Sequence, residues 1–260
     1  MLALVLLSVN VAGDTVPLPH AHAHNDYEHA RPFFDATERG FLSLEADVFL
    51  VDGTLWVAHE RAHLKPERTL KSLYLEPLAR RHRAGIPELT LMVDIKADGA
   101  AATARLKEEL KAYASMISRP GNKGSVQVVV SGAGDRELIR NDEERWMRLD
   151  GRPGDLERPA EPWIAWVSDA WPRHFSWYGE GAIPEGQSAK LRRMVQAAHA
   201  RGYRLRFWLT PEREAVWRVL RDHEVDLVGT DELDKLKNFF ISNRALAHTI
   251  AGQRQVNLFP

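Results

Sequence analysis

The 260-residue sequence predicts an α/β fold, a single (β/α)8 TIM barrel. Three observations carry this expectation. Apolar strand-like runs alternate with amphipathic helical stretches from Pro17 to Ser242, without a run of hairpins, which argues for parallel strands joined by right-handed crossovers. About eight such units occupy roughly 245 residues, the usual scale of a barrel. No GxGxxG fingerprint follows the first strand, which disfavours the alternative, a doubly wound open sheet.

The elements follow in order. Pro17 to His22 reads as the first strand, and Pro32 to Arg39 as a short helix stopped by Gly40. Leu42 to Phe49 is a second strand. The Asp52-Gly53 turn returns it as a short strand, Thr54 to Ala58. Thr69 to Arg83 is helical and ends at Gly85 and Pro87; Leu89 to Ile95 is the next strand. Ala101 to Ser118 is a helix, Val126 to Val130 a strand, and Arg136 to Asn141 a short helix. Arg145 to Leu149 and Trp163 to Val167 are further strands, separated by an Asp150–Gly154 loop. Residues 169 to 187, with Trp171, Trp177 and Tyr178 among Gly and Pro, read as a long functional loop. Ser188 to Arg201, Pro211 to Asp222 and Glu232 to Ser242 are helices, with strands Arg204 to Leu209 and Asp226 to Gly229 between them.

A hydrophobic fraction of 44% and a charged fraction of 27% are ordinary for a globular chain. Net charge is -1, which gives no electrostatic case for a nucleic-acid partner. The absence of cysteine excludes disulfides, thiol catalysis and cysteine-bound zinc. Residues 1–13, MLALVLLSVNVAG, are too short to span a bilayer and read as a signal peptide cleaved after Gly13, with a barrel domain over 14–260. Secreted or periplasmic export is expected; the missing charged n-region leaves a cytoplasmic protein with a mis-set start as the alternative. No other segment is apolar enough to cross a membrane. The oligomeric state stays open.

In a barrel, chemistry sits at the C-terminal strand ends. Strand 1 runs into His22, His24, Asn25 and Asp26; strand 2 carries Glu45 and Asp47; the short strand ends at His59; the next ends at Asp94 and Lys96. Residues i and i+2 of a strand share a face, so Glu45 and Asp47 project together. Two close carboxylates are costly to bury unpaired, and a divalent cation relieves that cost. Oxygen ligands suit Mg2+ or Ca2+, with Asp94 as a third ligand. Lys96 either neutralises a carboxylate or holds a phosphate oxygen. His24 and His59 remain as acid–base groups, as cleavage of a phosphodiester requires. Arg206 and Trp208 alternate on one strand and are candidates for phosphate contact and pocket wall, or else for a buried ion pair and a core aromatic. Ser168, Asp169 and Asp231 also reach strand ends, though Asp231 could simply cap the last helix. Trp171, Trp177 and Tyr178 are either an apolar lip for a lipid-like substrate or packing residues.

The stretch AHAHNDYEHARPFFDATERGFLSLEADVFLVDGTLWVAHE and the later LMVDIK resemble the glycerophosphodiester phosphodiesterase and PI-PLC-like superfamily. HNDY, EADV, SDAWP, RFW and VGTDEL are similar to its branch that includes altered inheritance of mitochondria protein 6. The resemblance runs from His20 to Phe240. It implies a barrel, two catalytic histidines at His24 and His59, metal carboxylates at Glu45, Asp47 and Asp94, and a substrate-binding Lys96. It also implies a small phosphodiester or lipid-like substrate. The first motif departs from the familiar HRG: Asn25 follows His24, and Asp94 stands where Glu is usual, as in spider sphingomyelinase D. That departure puts glycerophosphodiesters in doubt as substrates and leaves phosphodiester chemistry, with hydrolytic or cyclic-phosphate products. Asn25 is counted with the substrate-binding residues.

Two rival readings stay open at this level. An amidohydrolase or PHP-type metallohydrolase would use the alternate histidines His20, His22 and His24 around zinc, but later strand ends supply no further histidine. A catalytically silent lipid- or carbohydrate-binding barrel is the other, since fold alone confers no activity.

Overall fold

The structure, a computed structural model, describes residues 15–83 and 88–243. The apolar 1–13 segment and the helix-stop residues Gly85 and Pro87 lie outside them. Nine strands form one sheet: β1 (Leu18–Ala23), β2 (Phe41–Val51), β3 (Thr54–Val57), β4 (Leu89–Ile95), β5 (Val126–Gly132), β6 (Arg148–Gly151), β7 (Ile164–Ala170), β8 (Arg204–Trp208) and β9 (Leu227–Thr230). Eight of these run parallel in the order β1-β2-β4-β5-β6-β7-β8-β9, and β9 pairs back onto β1, which closes a (β/α)8 barrel. β3 stands outside the ring as the antiparallel hairpin partner of β2. Its turn uses Asp52 at φ 47° and Gly53 at φ 72°, the left-handed pair that an Asp-Gly hairpin needs.

Helices α1 (Phe34–Thr37), α2 (Glu76–Arg83), α3 (Gly99–Lys111), α4 (Arg136–Arg140), α5 (Glu185–His199) and α6 (Glu214–Asp222) lie between strands, and α7 (233–243) closes the chain. The main core packs strands against helices; Leu44, Val93, Val130, Val167 and Phe207 point outward into it. Inside the ring a smaller cluster of Met92, Val129, Ala165, Trp166 and Leu227 fills the barrel.

Four boundaries differ from the sequence expectation, each for a local reason. The Thr69–Arg83 helix begins as a π-turn over Lys71–Leu75, because Pro77 offers no N–H to the preceding turn. α3 stops at Lys111 rather than Ser118, since Ser118 N donates to Val126 O and belongs to the sheet edge. β6 starts at Arg148, not Arg145: Arg145 sits at φ 55° and its Nη1 caps the carbonyls of Ile139, Arg140 and Asp142. The expected 169–187 loop is shorter, with β7 reaching Ala170, a 3-10 turn at Trp171–Arg173, and α5 starting at Glu185. Trp171 and Trp177 there are packing residues, and only Tyr178, 48% exposed, reaches solvent.

Candidate metal and acid–base site

The alternation of β2 sends Ser43, Glu45 and Asp47 inward while Leu44, Ala46 and Val48 pack outward. Register then assembles the carboxylates. Asp47 pairs with Asp94 on β4, and Glu45 with Met92 one step deeper. One ligand oxygen from each of Glu45, Asp47 and Asp94 lies within 4.8 Å of the others.

Each carboxylate is divided between protein and open space. Asp47 Oδ2 accepts from Tyr27 Oη (2.6 Å), Lys96 Nζ (2.7 Å) and His59 Nδ1 (3.0 Å), whereas its Oδ1 is buried without a partner. Asp94 Oδ2 accepts from Lys96 Nζ at 2.9 Å, and its Oδ1 is likewise orphaned. Glu45 Oε2 accepts from His22 Nε2 (3.0 Å) and Arg206 Nη2 (3.0 Å). Its Oε1 faces His24 Nε2 at 4.0 Å.

The electrostatics follow. Burial pushes Glu45 up, but Arg206 and His22 outweigh it and hold the carboxyl at about 2. Burial and the Glu45 charge raise Asp47 against the pull of Lys96. Burial raises Asp94 too, again against Lys96. Lys96 and Arg206 thus leave one carboxylate charge uncompensated, and two buried oxygens have nothing to bond. A divalent cation with oxygen ligands fits that vacancy of charge and partners.

Two histidines flank the carboxylates. His24 follows β1, where the chain turns at Asn25 in the left-handed region, φ 48°, which asparagine tolerates. His24 Nδ1 donates to Asp231 Oδ1 at 2.8 Å. Burial lowers its pKa, and the Asp231 hydrogen bond and Glu45 raise it by more. His59 arrives from the other side: the β2–β3 hairpin folds back until Ala58 N donates to Asp47 O, which sets His59 Nδ1 against Asp47. In both rings Nδ1 faces a carboxylate, so Nε2 is the nitrogen left for chemistry. The His59 side chain is 57% exposed.

The other expected residues fall as follows. Asn25 is held rather than free, accepting from the Tyr27 hydroxyl at 2.8 Å and donating to Asp231 at 3.3 Å. Arg206 is only 3% exposed and is committed to Glu45, the buried-ion-pair alternative. Trp208 is half-buried beneath Arg173. His22 is fully buried between Ser43 and Glu45, and burial with Arg206 nearby holds it neutral, at about 4. His20 Nδ1 meets the Asp226 carbonyl away from the site. Of the alternate histidines, His22 and His24 both reach Glu45, and His20 does not join them.

Asp231, one of the expected strand-end residues, orients His24. Two residues escaped sequence reasoning. Tyr27, fully buried, has its hydroxyl 2.6 Å from Asp47, 2.8 Å from Asn25 and 3.1 Å from His59 Nδ1. Gly132 sits at φ 66°, and a Cβ there would lie 1.9 Å from Asp94 Oδ1. A glycine at the end of a strand was the available signal for the last.

Comparison with known proteins finds relatives of this sequence and of this fold. Residues 9–84 match the family described as the AIM6-like phosphodiesterase domain, a span that includes Glu45, Asp47 and both histidines. The chain resembles the AIM6-like branch of the phosphodiesterase barrels. An altered inheritance of mitochondria protein 6 homolog of Arthroderma benhamiae is 28% identical over 277 residues, covering 89% of this chain and 86% of that one. Altered inheritance of mitochondria protein 6 of Eremothecium gossypii is 26% identical, covering 87% and 70%. Among solved structures, a glycerophosphodiester phosphodiesterase from Parabacteroides distasonis superposes with a TM-score of 0.53 at 14% identity, over 87% of this chain and 98% of that one. At that identity the likeness concerns the barrel fold.

Proposed function

We propose that this AIM6-like chain is a metal-dependent phosphodiesterase that cleaves a glycerophosphodiester or phospholipid-like substrate by two-histidine acid–base catalysis. One observation carries the reading. Glu45, Asp47 and Asp94 bring ligand oxygens within 4.8 Å of one another, beside His24 and His59, whose Nδ1 atoms are both tied to carboxylates. Glu45, Asp47 and Asp94 would hold the cation, Mg2+ or Ca2+ by the hardness of the donor set. The chemistry such an ion supplies when bound is polarisation of a non-bridging phosphoryl oxygen and stabilisation of transition-state charge. One histidine takes the proton of the attacking hydroxyl at Nε2, and the other returns a proton to the departing alkoxide. Asp231 and Asp47 hold the rings for those transfers. Lys96 bridges Asp47 and Asp94 and favours their ionised forms.

The test is to strip the protein with chelator and assay a phosphodiester panel before and after Mg2+ or Ca2+ is restored. Turnover that returns with metal and is lost in His24→Ala and His59→Ala is expected. Turnover of amides alone would instead favour the metallohydrolase reading, and binding without turnover the silent barrel. Phosphorus NMR of the products distinguishes attack by water from attack by a substrate hydroxyl, which gives a cyclic phosphate. The apolar 1–13 segment supports export, which N-terminal sequencing of the secreted protein tests.

A further inference from the structure

The arginine expected to meet phosphate, Arg206, is sealed in the barrel on Glu45, and Lys96 is spent on Asp47 and Asp94. Directly past β6, on the side of the ring opposite β1 and four strands round, stands another cation, Arg152. It is bound through one nitrogen. Nη1 donates to the carbonyls of Asp150 (3.1 Å) and Gly151 (2.9 Å), to Ser168 Oγ (3.2 Å), and meets Asp150 Oδ2 at 2.9 Å. Among the described residues Nη2 makes one long contact, 3.5 Å to Ser131 Oγ, and Nε makes none. The side chain is 40% exposed. Its backbone is pinned as well, with Arg152 N donating to Asp155 Oδ2 at 2.7 Å.

The platform beneath is built. Asp150, almost fully buried, accepts from Ser131 Oγ (2.7 Å) and Ser168 Oγ (2.8 Å) through the oxygen that meets Arg152, and its Oδ1 has no partner. Ser131 is the register neighbour of Asp94, and Ser168 that of Arg206. The platform is therefore continuous with the metal carboxylates on one side and with the Glu45–Arg206 pair on the other. A guanidinium fixed at one corner keeps a pre-organised edge, and an Nε/Nη2 edge matches the two-oxygen face of a phosphoryl group. Holding such a group costs little rotamer entropy, because that loss was already taken in folding.

We propose that Arg152 is a substrate-binding residue, its free edge taking a non-bridging phosphoryl oxygen from the side of the mouth opposite His24. The assignment rests on the phosphodiesterase reading for its substrate, while phosphate binding reads it independently of turnover. The experiment titrates inorganic phosphate into the Mg2+-loaded full-length protein by calorimetry and measures bis(p-nitrophenyl) phosphate turnover in parallel. Arg152→Ala is expected to weaken phosphate binding by about tenfold or more and to raise KM more than it lowers kcat. Arg152→Lys preserves the charge over Asp150 and loses the fork, so a smaller loss is expected; it carries the test if the alanine variant melts below the assay temperature. Phosphate affinity unchanged within twofold in either folded variant, or no phosphate binding by the wild type, overturns the assignment. Phosphate binding that depends on Arg152, with no diester turned over, leaves Arg152 as an anion-binding residue and sinks the phosphodiesterase reading alone.

Discussion

Two strand carboxylates, Asp47 on the inner face of β2 and Asp169 on the outer face of β7, have opposite fates. Asp169 commits both oxygens: Oδ1 accepts from Ala170 N and Arg173 Nη1, and Oδ2 from His174 Nε2, each at 2.8 Å. Burial raises it, yet those donors, His174 foremost, hold it below the usual carboxylate range. Asp47 has three donors crowded onto one oxygen and none on the other, and burial with Glu45 nearby raises it. A fully satisfied carboxylate locks structure, here the turn after β7. Asp47 keeps one oxygen uncommitted beside Glu45 and Asp94. The inner and outer faces of the barrel wall therefore divide the work between chemistry and scaffold.

The largest expected effect breaks the chemical side. His24→Ala and His59→Ala should each lower kcat by about 10²–10⁴-fold in the metal-loaded protein while melting curves stay close to wild type. A loss below tenfold for either would remove that histidine from the acid–base pair. Next comes a stability effect on the same side. Asp26 is buried against Phe33 N and Tyr74 Oη, and burial raises its pKa to about 6. A carboxyl raised on folding binds its proton more tightly in the native state. Its stabilisation is complete below the unfolded value, about 4, and is lost as pH rises through 6. Asp26→Asn keeps acceptors for both donors and cannot ionise. It should melt like wild type near pH 4 and gain up to about 3 kcal/mol above pH 7. A difference that does not change with pH would contradict this.

Smaller changes sharpen the contrast. Asp231→Asn leaves His24 an uncharged partner, so kcat should fall by about 10–100-fold with the fold intact. Asp169→Asn should do the reverse, costing about 1–2 kcal/mol of stability at neutral pH and leaving turnover unchanged. That cost should shrink in acid, because a lowered carboxyl gives up its stabilisation as pH falls through its native value. Thermal melts at two pH values check both signs.

The division between the sides was only partly legible in the sequence. The barrel was legible because strand-like and helical runs alternate along the whole chain, and Glu45, Asp47 and Asp94 because period-two alternation puts strand-end acids on one face. His59 was legible through the Asp52-Gly53 turn, which fixes where the chain returns. Arg206 and Arg152 were not. Both are arginines at strand ends, and only the fold shows that one is sealed on Glu45 inside the ring while the other stays 40% exposed beside Asp150. Asp231 was legible as a strand-end residue, but its role was not, because its partner is 207 residues away across the β1–β9 closure. Side-chain commitment is a tertiary property, and neither spacing nor propensity encodes it.

Tyr27 is where this matters most and where the smallest effect is expected. Its hydroxyl carries one proton and faces two acceptors, Asp47 Oδ2 and Asn25 Oδ1. Asn25 in turn donates to the Asp231 oxygen that holds His24. The tyrosine thus links the two histidine supports, which meet nowhere else at such short range. Burial and the Asp47 charge keep the phenol protonated far above neutrality, so it acts by position. Tyr27→Phe retains the buried ring, leaves Asp47 Oδ2 with Lys96 and His59, and frees the Asn25 amide. We expect kcat to fall about tenfold with KM little changed. The ring nitrogens of both His24 and His59 should shift in nitrogen NMR, although Tyr27 touches only the second. A shift confined to His59 would make the hydroxyl a local prop for Asp47, and the two supports would then be independent.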